Sequence, residues 1–347
     1  MVGTVLWVAA ALFSIQLMLL VYLLITKKRQ LNFEGRTNKA YHSIIADYLA
    51  FLTGEAEKEP ELPKSQRVKQ EVLERLLSRF SENTITVLEK NRIQLVAETH
   101  LANIYRMRLE KGAWSERVNA LYFIEDFRML SLKETVWSHL SKQEAADEEY
   151  RQTLRVLASF HDERLMEYLV KQEALSIGVF KELFRLLPFE AFNDLVVELE
   201  KENTIPIALQ EAFIAYCGES GNYGYLPFIE RKLKDSNKEF RLKALRSLCL
   251  FQYCSDQEYI KILFTSEHWE ERMYAARLAG IMRLSEYRDD LLKLASDTVW
   301  WVRFAACEAI KKLPDGEIFL EFAAATHEDP YARDMAKQMK TMKAGVS

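Results

Sequence analysis

Residues 296–313 read SDTVWWVRFAACEAIKKL, and the pattern within them decides the fold. An arginine in this stretch is followed three positions later by an alanine, and the same skeleton returns before it and after it. The arginines lie 31, 31 and 30 residues apart, and the pairs are Arg241 with Ala244, Arg272 with Ala275, Arg303 with Ala306, and Arg333 with Ala336. Four matching pairs at one period indicate an internal repeat.

Each repeat unit is predicted to be a pair of helices. Apolar residues of the quoted stretch recur at the spacing of one helical stripe, and its small alanines let another helix approach closely. A second helix is predicted in each unit, over residues 226–233, 259–264, 287–294 and 318–323. Six residues before the arginines stand Asp235, Ser266, Asp297 and His327. Three of these four residue types are common at helix N-caps, so this position is predicted to open the first helix.

The unit resembles HEAT-like repeats in their short form, whose skeleton is Asp…Val-Arg-x-x-Ala-Ala-x-Ala-Leu. The best match is carried by Asp297, Val302, Arg303, Ala305, Ala306, Ala309 and Ile310, whereas Phe240, Glu271 and Ala332 stand at the valine position of the other units. The resemblance covers about residues 205–342 and is faint over residues 85–204, where Arg117 and Ala120 keep the three-residue offset. It implies an all-α fold, an α-solenoid of stacked antiparallel helix pairs, and no particular activity.

Composition argues against several classes of function. The 47 basic and 51 acidic residues give a net charge of −4, so no global positive field attracts nucleic acid. The four cysteines fall in apolar helical contexts without a Cys-x-x-Cys pair, which favours buried packing in a reducing compartment. The six histidines have no metal-ligand spacing. No catalytic residue, cofactor, metal or small-molecule substrate is therefore predicted.

The N-terminus is predicted to be a single transmembrane helix. Residues 5–25 form an apolar run of 21 residues, which spans about the 30 Å of a bilayer core. Lys27, Lys28 and Arg29 follow the run, whereas no charged side chain precedes it. The positive-inside rule then places the N-terminus outside the cell membrane and the repeats in the cytoplasm.

Four regions follow from these patterns. Residues 1–29 are the predicted anchor with its basic flank, and residues 30–84 hold juxtamembrane helices with a charged, flexible linker at 54–64. An amphipathic helix over residues 39–52 is predicted to cover the end of the solenoid. Residues 85–204 are degenerate helical repeats, and residues 205–347 are HEAT-like repeats with a C-terminal cap.

Tryptophans and arginines recur at fixed registers, and a binding role competes with a packing role for both. Trp114, Trp269 and Trp300 each precede an arginine of the repeat by three residues. Their common register favours packing between units, and Trp301, on a different face, is the better candidate for exposure. The arginine column could bind phosphate, but the acidic residues near it favour a structural ladder of paired charges.

The favoured function is a membrane-anchored cytosolic scaffold or adaptor that binds a protein partner at the inner membrane face. That partner could be a membrane enzyme or transporter such as an envelope glycosyltransferase. The second helices are expected to form a concave face of mixed charge, which suits a protein surface. The candidate partner-binding residues are Trp301, Arg231, Lys234, Lys261, Arg288 and Lys293. Two alternatives stay open: an enzyme similar to bilin lyases, which share short HEAT-like repeats, and a structural subunit that packs its single span through Ser14 and Gln16 into a membrane complex.

Overall fold

The computed structural model describes residues 2–82, 86–143, 147–201 and 205–342. These residues form helices and loops, and none of them lies in a β-strand, in agreement with the predicted all-α class. The chain divides into two compact units, residues 1–162 and 163–347. The division therefore falls within the region of degenerate repeats rather than at the start of the regular ones.

The described residues of the first unit form six α-helices. They are α1 (Val2–Thr53), α2 (Gln66–Ser81), α3 (Val87–Lys111), α4 (Trp114–Asp126), α5 (Lys133–Leu140) and α6 (Glu148–Ser159), with a short 3₁₀ turn at Leu130–Leu132. The C-terminal part of α1 packs against α2 and α3 and buries Tyr41, Tyr48 and Leu52, as the predicted amphipathic stripe requires. The regions predicted as an anchor and as a juxtamembrane helix belong to one continuous helix, α1, although the prediction divides them at residues 29 and 30.

The exposed N-terminal half of α1 includes most of the predicted membrane span. Every side chain from Leu12 to Ile25 is exposed, whereas the side chains of residues 2–6 and 8–11 lie outside the described part. Among the described helices, none combines the length and apolar character that crossing a bilayer requires.

The charged segment 54–64 is held in place, which corrects the prediction of a flexible linker. Glu59 accepts a hydrogen bond from the Tyr48 hydroxyl at 2.5 Å and lies 2.7 Å from Nε2 of His100 on α3. Arg92 donates to the carbonyl oxygens of Phe51 and Ala56. The composition of the segment suggested solvation, but these contacts bind it to α1 and α3.

Twelve α-helices are formed by the part of the second unit that the structure describes, residues 163–201 and 205–342. They are α7 (Arg164–Leu169), α8 (Ile177–Phe184), α9 (Asn193–Lys201), α10 (Ile207–Ser220), α11 (Leu226–Lys232), α12 (Lys238–Phe251), α13 (Gln257–Leu263), α14 (Trp269–Ile281), α15 (Arg288–Leu294), α16 (Trp300–Lys312), α17 (Gly316–Thr326) and α18 (Pro330–Thr341). Short 3₁₀ turns occur at Phe189–Phe192, Tyr223–Tyr225 and Ser285–Tyr287.

The long first helices of the repeat pack side by side in chain order. Helices α10, α12, α14, α16 and α18 each contact the next, and the shorter helices α11, α13, α15 and α17 pack on them. The repeated alanines, Ala244, Ala275, Ala306 and Ala336, are fully buried. The prediction of stacked helix pairs over this region is therefore confirmed.

Successive first helices approach each other closely at two glycines. A Cβ atom added at Gly280 of α14 would lie 2.5 Å from Cα of Ala309 on α16. A Cβ atom added at Gly218 of α10 would lie 2.6 Å from Cα of Ser247 on α12. Gly218 and Gly280 are 62 residues apart, which is two periods of 31. The repeat therefore has a second register, in which a missing side chain sets the distance between units.

The predicted N-caps are wrong by two residues. The N-cap positions of α12, α14, α16 and α18 are Asn237, His268, Val299 and Asp329. The residues two positions earlier instead accept a hydrogen bond from these backbone amides, and their acceptor-to-donor distances are 2.9 Å for Asp235, 3.1 Å for Ser266, 2.8 Å for Asp297 and 3.1 Å for His327. They stabilise the loop before the helix, because their side chains bond the amide two residues on.

Candidate functional site

The repeated arginines hold the loops that precede their own helices. Nη1 of Arg272 donates to the carbonyl oxygens of Ser266 at 2.8 Å and Glu267 at 3.4 Å. Arg241, Arg303 and Arg333 make the same pair of bonds to the residues six and five positions before them. A guanidinium can bond two carbonyls with one nitrogen and still present its other edge to a neighbour.

Two of these arginines use that other edge to bind a carboxylate of the following unit. Nε and Nη2 of Arg272 donate to the two carboxylate oxygens of Asp297 at 2.7 and 2.9 Å. Arg241 is 2.7 Å from Oε1 of Glu271 through Nε and through Nη2. These are two-point, largely buried ion pairs between successive repeats, which are stronger and more specific than single contacts.

Glu271 explains one departure from the repeat skeleton. The loop position that carries Asp297 in one unit carries Ser266 in the unit before it, so Arg241 has no aspartate to bind there. Glu271 stands at the valine position, is 3% exposed, and supplies the carboxylate instead. The Ser266 hydroxyl donates to its second oxygen at 2.5 Å. The carboxylate therefore stands at a different position in this unit, and the ion pair with Arg241 still forms.

The pKa of Asp297 reflects this pairing. Burial alone raises the pKa, but hydrogen bonds from Arg272 and the Val299 amide, together with the positive charges of Arg272 and Arg303, bring it below its ordinary value. Asp297 is thus ionised at neutral pH, and the pair contributes stability that is lost only as the pH falls through this lowered pKa.

The first unit contains a pair of the same kind. Nε and Nη2 of Arg117 donate to the two oxygens of Glu149 at 2.5 and 2.7 Å, and Nη1 donates to the Gly112 carbonyl at 2.9 Å. Nε2 of His139 lies 2.7 Å from the same carboxylate. An open cavity of about 420 Å³ lies beside this network and is lined in part by Trp114 and Asp147. Each charged side chain of this network has a partner. We therefore interpret the network as one that stabilises the packing of the helix pairs.

Arg303 is the exception among the arginines of the repeat. In the unit that follows Arg303, the positions equivalent to Asp297 and Glu271 are 327 and 332. They carry His327 and Ala332, so neither can supply a carboxylate to Arg303. Nε of Arg303 is buried and has no hydrogen-bond partner among the described residues. The guanidinium instead lies 5.3 Å from the centre of the Tyr331 ring.

Aromatic residues stand on the helix that carries Arg303 and at the start of α18, and we refer to them as the aromatic surface. We define it as Trp300, Trp301 and Phe304 of α16 together with Tyr331 of α18. The two indole rings meet edge to face at 4.7 Å, and Trp300 stacks on Phe304 at 5.2 Å. Trp300 is 40% exposed, Trp301 is 53% exposed and Tyr331 is 68% exposed. A connected set of exposed aromatic side chains is typical of an interaction site.

The tryptophans in one register are not fully packed between units. Trp114 is 49% exposed, and Trp269 is half-buried, so the packing role that their register favours is only partly met. Trp301 is more exposed than its neighbour Trp300, as its different face predicts.

Arg231, Lys261, Arg288 and Lys293 lie on second helices and Lys234 lies in the turn after α11, whereas Trp301 lies on a first helix. Three of the five basic candidates contact nearby acids: Lys234 with Asp256 at 2.7 Å, Arg288 with Asp289 at 2.9 Å and Lys293 with Asp290 at 3.1 Å. Arg231 and Lys261 are exposed on α11 and α13. Sequence reasoning missed Arg303 and Tyr331, although the substitution of both acid positions by His327 and Ala332 was the signal that singled Arg303 out.

Comparisons with known proteins concern the fold. The sequence model described as HEAT repeats matches residues 256–339. An engineered protein of known crystal structure is 15% identical, covers 80% of this chain and 85% of its own, and superposes with a TM-score of 0.38. The CpcE–CpcF complex of phycocyanin lyase from Nostoc sp. PCC7120 is 14% identical, covers 68% of this chain and 92% of its own, and gives a TM-score of 0.30. The curated proteins contain no match. Residues 256–339, which include helices α13 to α17 and most of α18, are therefore HEAT-like repeats.

Proposed function

We propose that the chain is a HEAT-repeat scaffold that binds a protein partner on the aromatic surface of α16 and α18. The single observation that carries the proposal is that Trp300 and Trp301, whose rings are in contact, are both exposed, as is Tyr331 at the start of α18. Large aromatic side chains supply much of the binding energy of protein interfaces, because they bury wide apolar area at a low cost in conformational entropy.

No group of three or more His, Cys, Asp or Glu residues that could hold a metal occurs in the described ranges. The exposed basic residues of α11, α13 and α15 alternate with acids, and such a mixture favours a protein surface over a polyanion. These second helices form a different candidate surface, and the two surfaces are separable by experiment.

The proposal includes a membrane anchor at residues 5–25, with the repeats on the cytoplasmic side. Its support is the apolar run in the sequence and the exposure of every side chain from Leu12 to Ile25 on α1. An anchor would confine the repeats to a thin layer at the membrane and raise the effective concentration of a membrane-resident partner, such as an enzyme or transporter.

Loss of the two tryptophans is expected to abolish partner capture. In the full-length chain, Trp300→Ala with Trp301→Ala should lower the yield of a specific crosslinked partner in intact cells at least tenfold, because two buried interface aromatics commonly contribute more than about 2 kcal/mol together. Trp114→Ala is the matched control, since Trp114 is a half-exposed tryptophan of the other compact unit. Equal capture by both variants would refute the aromatic surface as the binding site.

Two charges in the apolar run are expected to release the chain from the membrane. The variant with Leu19→Lys and Leu20→Lys should move from the alkali-resistant membrane fraction to the soluble fraction, because each lysine at the centre of a span costs about 2.5–3.5 kcal/mol. Lys27→Gln with Lys28→Gln is the control and should stay in the membrane. An unmodified chain that is itself found in the soluble fraction would contradict the anchor, and it would leave partner binding by the repeats untouched.

A further inference from the structure

We propose that Arg303 binds the carboxylate of an acidic side chain on the protein partner, beside Tyr331 of the aromatic surface. The inference deepens the proposed function and rests on it, because it assigns the chemistry by which that surface recognises its partner. The occupant is a segment of protein that carries an aspartate or glutamate next to apolar residues.

The first step is the equivalence of Arg303 with arginines that do hold a carboxylate. Arg241 and Arg272 each bond two loop carbonyls through Nη1 and bind an acid through Nε and Nη2. Arg303 makes the same two carbonyl bonds, at 2.8 and 3.1 Å. Its guanidinium is therefore fixed in the orientation in which the two equivalent arginines receive a carboxylate in the plane of the fork.

The second step is that neither position equivalent to Asp297 or Glu271 in the following unit carries an acid. His327 stabilises the loop before α18 as Asp297 stabilises the loop before α16. Its Nδ1 accepts a hydrogen bond from the Asp329 amide at 3.1 Å, and Asp297 accepts one from the Val299 amide. A neutral imidazole that accepts at Nδ1 has only a donor left at Nε2, so it cannot take the place of a carboxylate. Ala332 is fully buried and carries no polar group. Nε of Arg303 is left without a partner, which is an unfavourable state for a buried donor.

The third step is access. Tyr331, whose ring packs against the guanidinium, is itself two-thirds exposed at the start of α18. A change in its side-chain rotamer would uncover the part of the guanidinium that the ring covers. Trp300 precedes Arg303 by three residues on α16 and so shares a side of the helix with it, where it can contribute apolar contact to the same partner.

The test introduces a carboxylate within the chain that would pair with Arg303 and compete with the partner's acid. His327→Asp places a carboxylate where Asp297 binds Arg272, and it keeps the acceptor for the Asp329 amide. His327→Asn is the matched control, because it keeps the acceptor without the charge. The probe is a random heptapeptide library displayed on phage and selected on the full-length chain, and the selected peptides are resynthesised with each acid replaced by its amide.

The expected peptides contain an aspartate or glutamate beside an aromatic or aliphatic residue, and they lose at least tenfold in affinity when that acid becomes an amide. They should bind His327→Asn as they bind the parent chain and should bind His327→Asp at least tenfold more weakly. Selected peptides without an acid, or equal binding to the Asp and Asn variants, would overturn the inference. Failure to select any peptide that depends on Trp301 would overturn the proposed surface itself, whereas dependence on Trp301 without dependence on Arg303 removes only the carboxylate site.

Discussion

Gly280→Ala is expected to destabilise the chain by about 2–3 kcal/mol, even though alanine is the better helix former by about 1 kcal/mol. The new methyl group would lie 2.5 Å from Cα and 2.7 Å from Cβ of Ala309, so α14 and α16 would have to move apart. Backbone atoms cannot avoid the clash by a rotamer change, as a flexible side chain can. The two helices would have to separate, which weakens the packing along the whole contact between the two repeats. Urea unfolding followed by circular dichroism measures the change.

Gly35→Ala is the control for this substitution. Gly35 also lies in a helix, but nothing stands within 4 Å of an added Cβ atom there. The same chemical change should therefore leave stability unchanged or raise it by up to about 1 kcal/mol. If both variants gained stability, the close approach of successive first helices would not be a feature of the folded protein.

Arg272→Gln is expected to destabilise the chain by about 2–4 kcal/mol. The substitution leaves Asp297 ionised and largely buried without its two-point partner, and an uncompensated buried charge is costly. Gln210 stands one period before Arg241 and donates to the Ile205 carbonyl at 2.9 Å, so a glutamine at this register can still hold the loop. The loss therefore reports the ion pair between repeats rather than the loop contact. The measurement is the free energy of unfolding at neutral pH.

Arg288→Gln serves as the reference for an exposed pair. Its partner Asp289 is solvent-accessible, so the loss should stay below about 1 kcal/mol. A second check is acid titration of the Arg272 variant, whose stability should fall less than that of the parent chain as the pH drops through the lowered pKa of Asp297. Equal losses at neutral pH for Arg272→Gln and Arg288→Gln would show that the ladder does not stabilise the stack.

Periodicity was sufficient to predict the stacked helix pairs, because the buried alanines and the arginines repeat in the sequence itself. The second helices were also placed within two or three residues of their observed starts. The caps were misplaced because the loop residues accept the amide two positions on, a local geometry that residue type alone does not distinguish from an N-cap. The equivalent positions of Gly218 and Gly280 were not predicted, because a glycine has no side chain that adds to an apolar or charged pattern in the sequence.

Contacts between distant residues account for the other differences. The linker at 54–64 has a solvated composition, and only the positions of Tyr48 and His100 show that Glu59 is bound. Glu271 stood out as a departure from the skeleton, but its role required the position of Arg241 in the neighbouring unit. Arg303 could have been found from the sequence by asking which arginine has no acid at either register of the following repeat.

The location of the partner is tested most directly by site-specific photocrosslinking in intact cells. A photoreactive phenylalanine analogue is placed at Trp301 of α16 in one chain and at Ile262 of α13, an equally exposed position on a second helix, in the other. The account predicts one discrete adduct from position 301 that disappears when His327→Asp is added, and none from position 262. An adduct from position 262 alone would contradict the account, whereas one from position 301 that His327→Asp leaves intact would remove only the carboxylate site at Arg303.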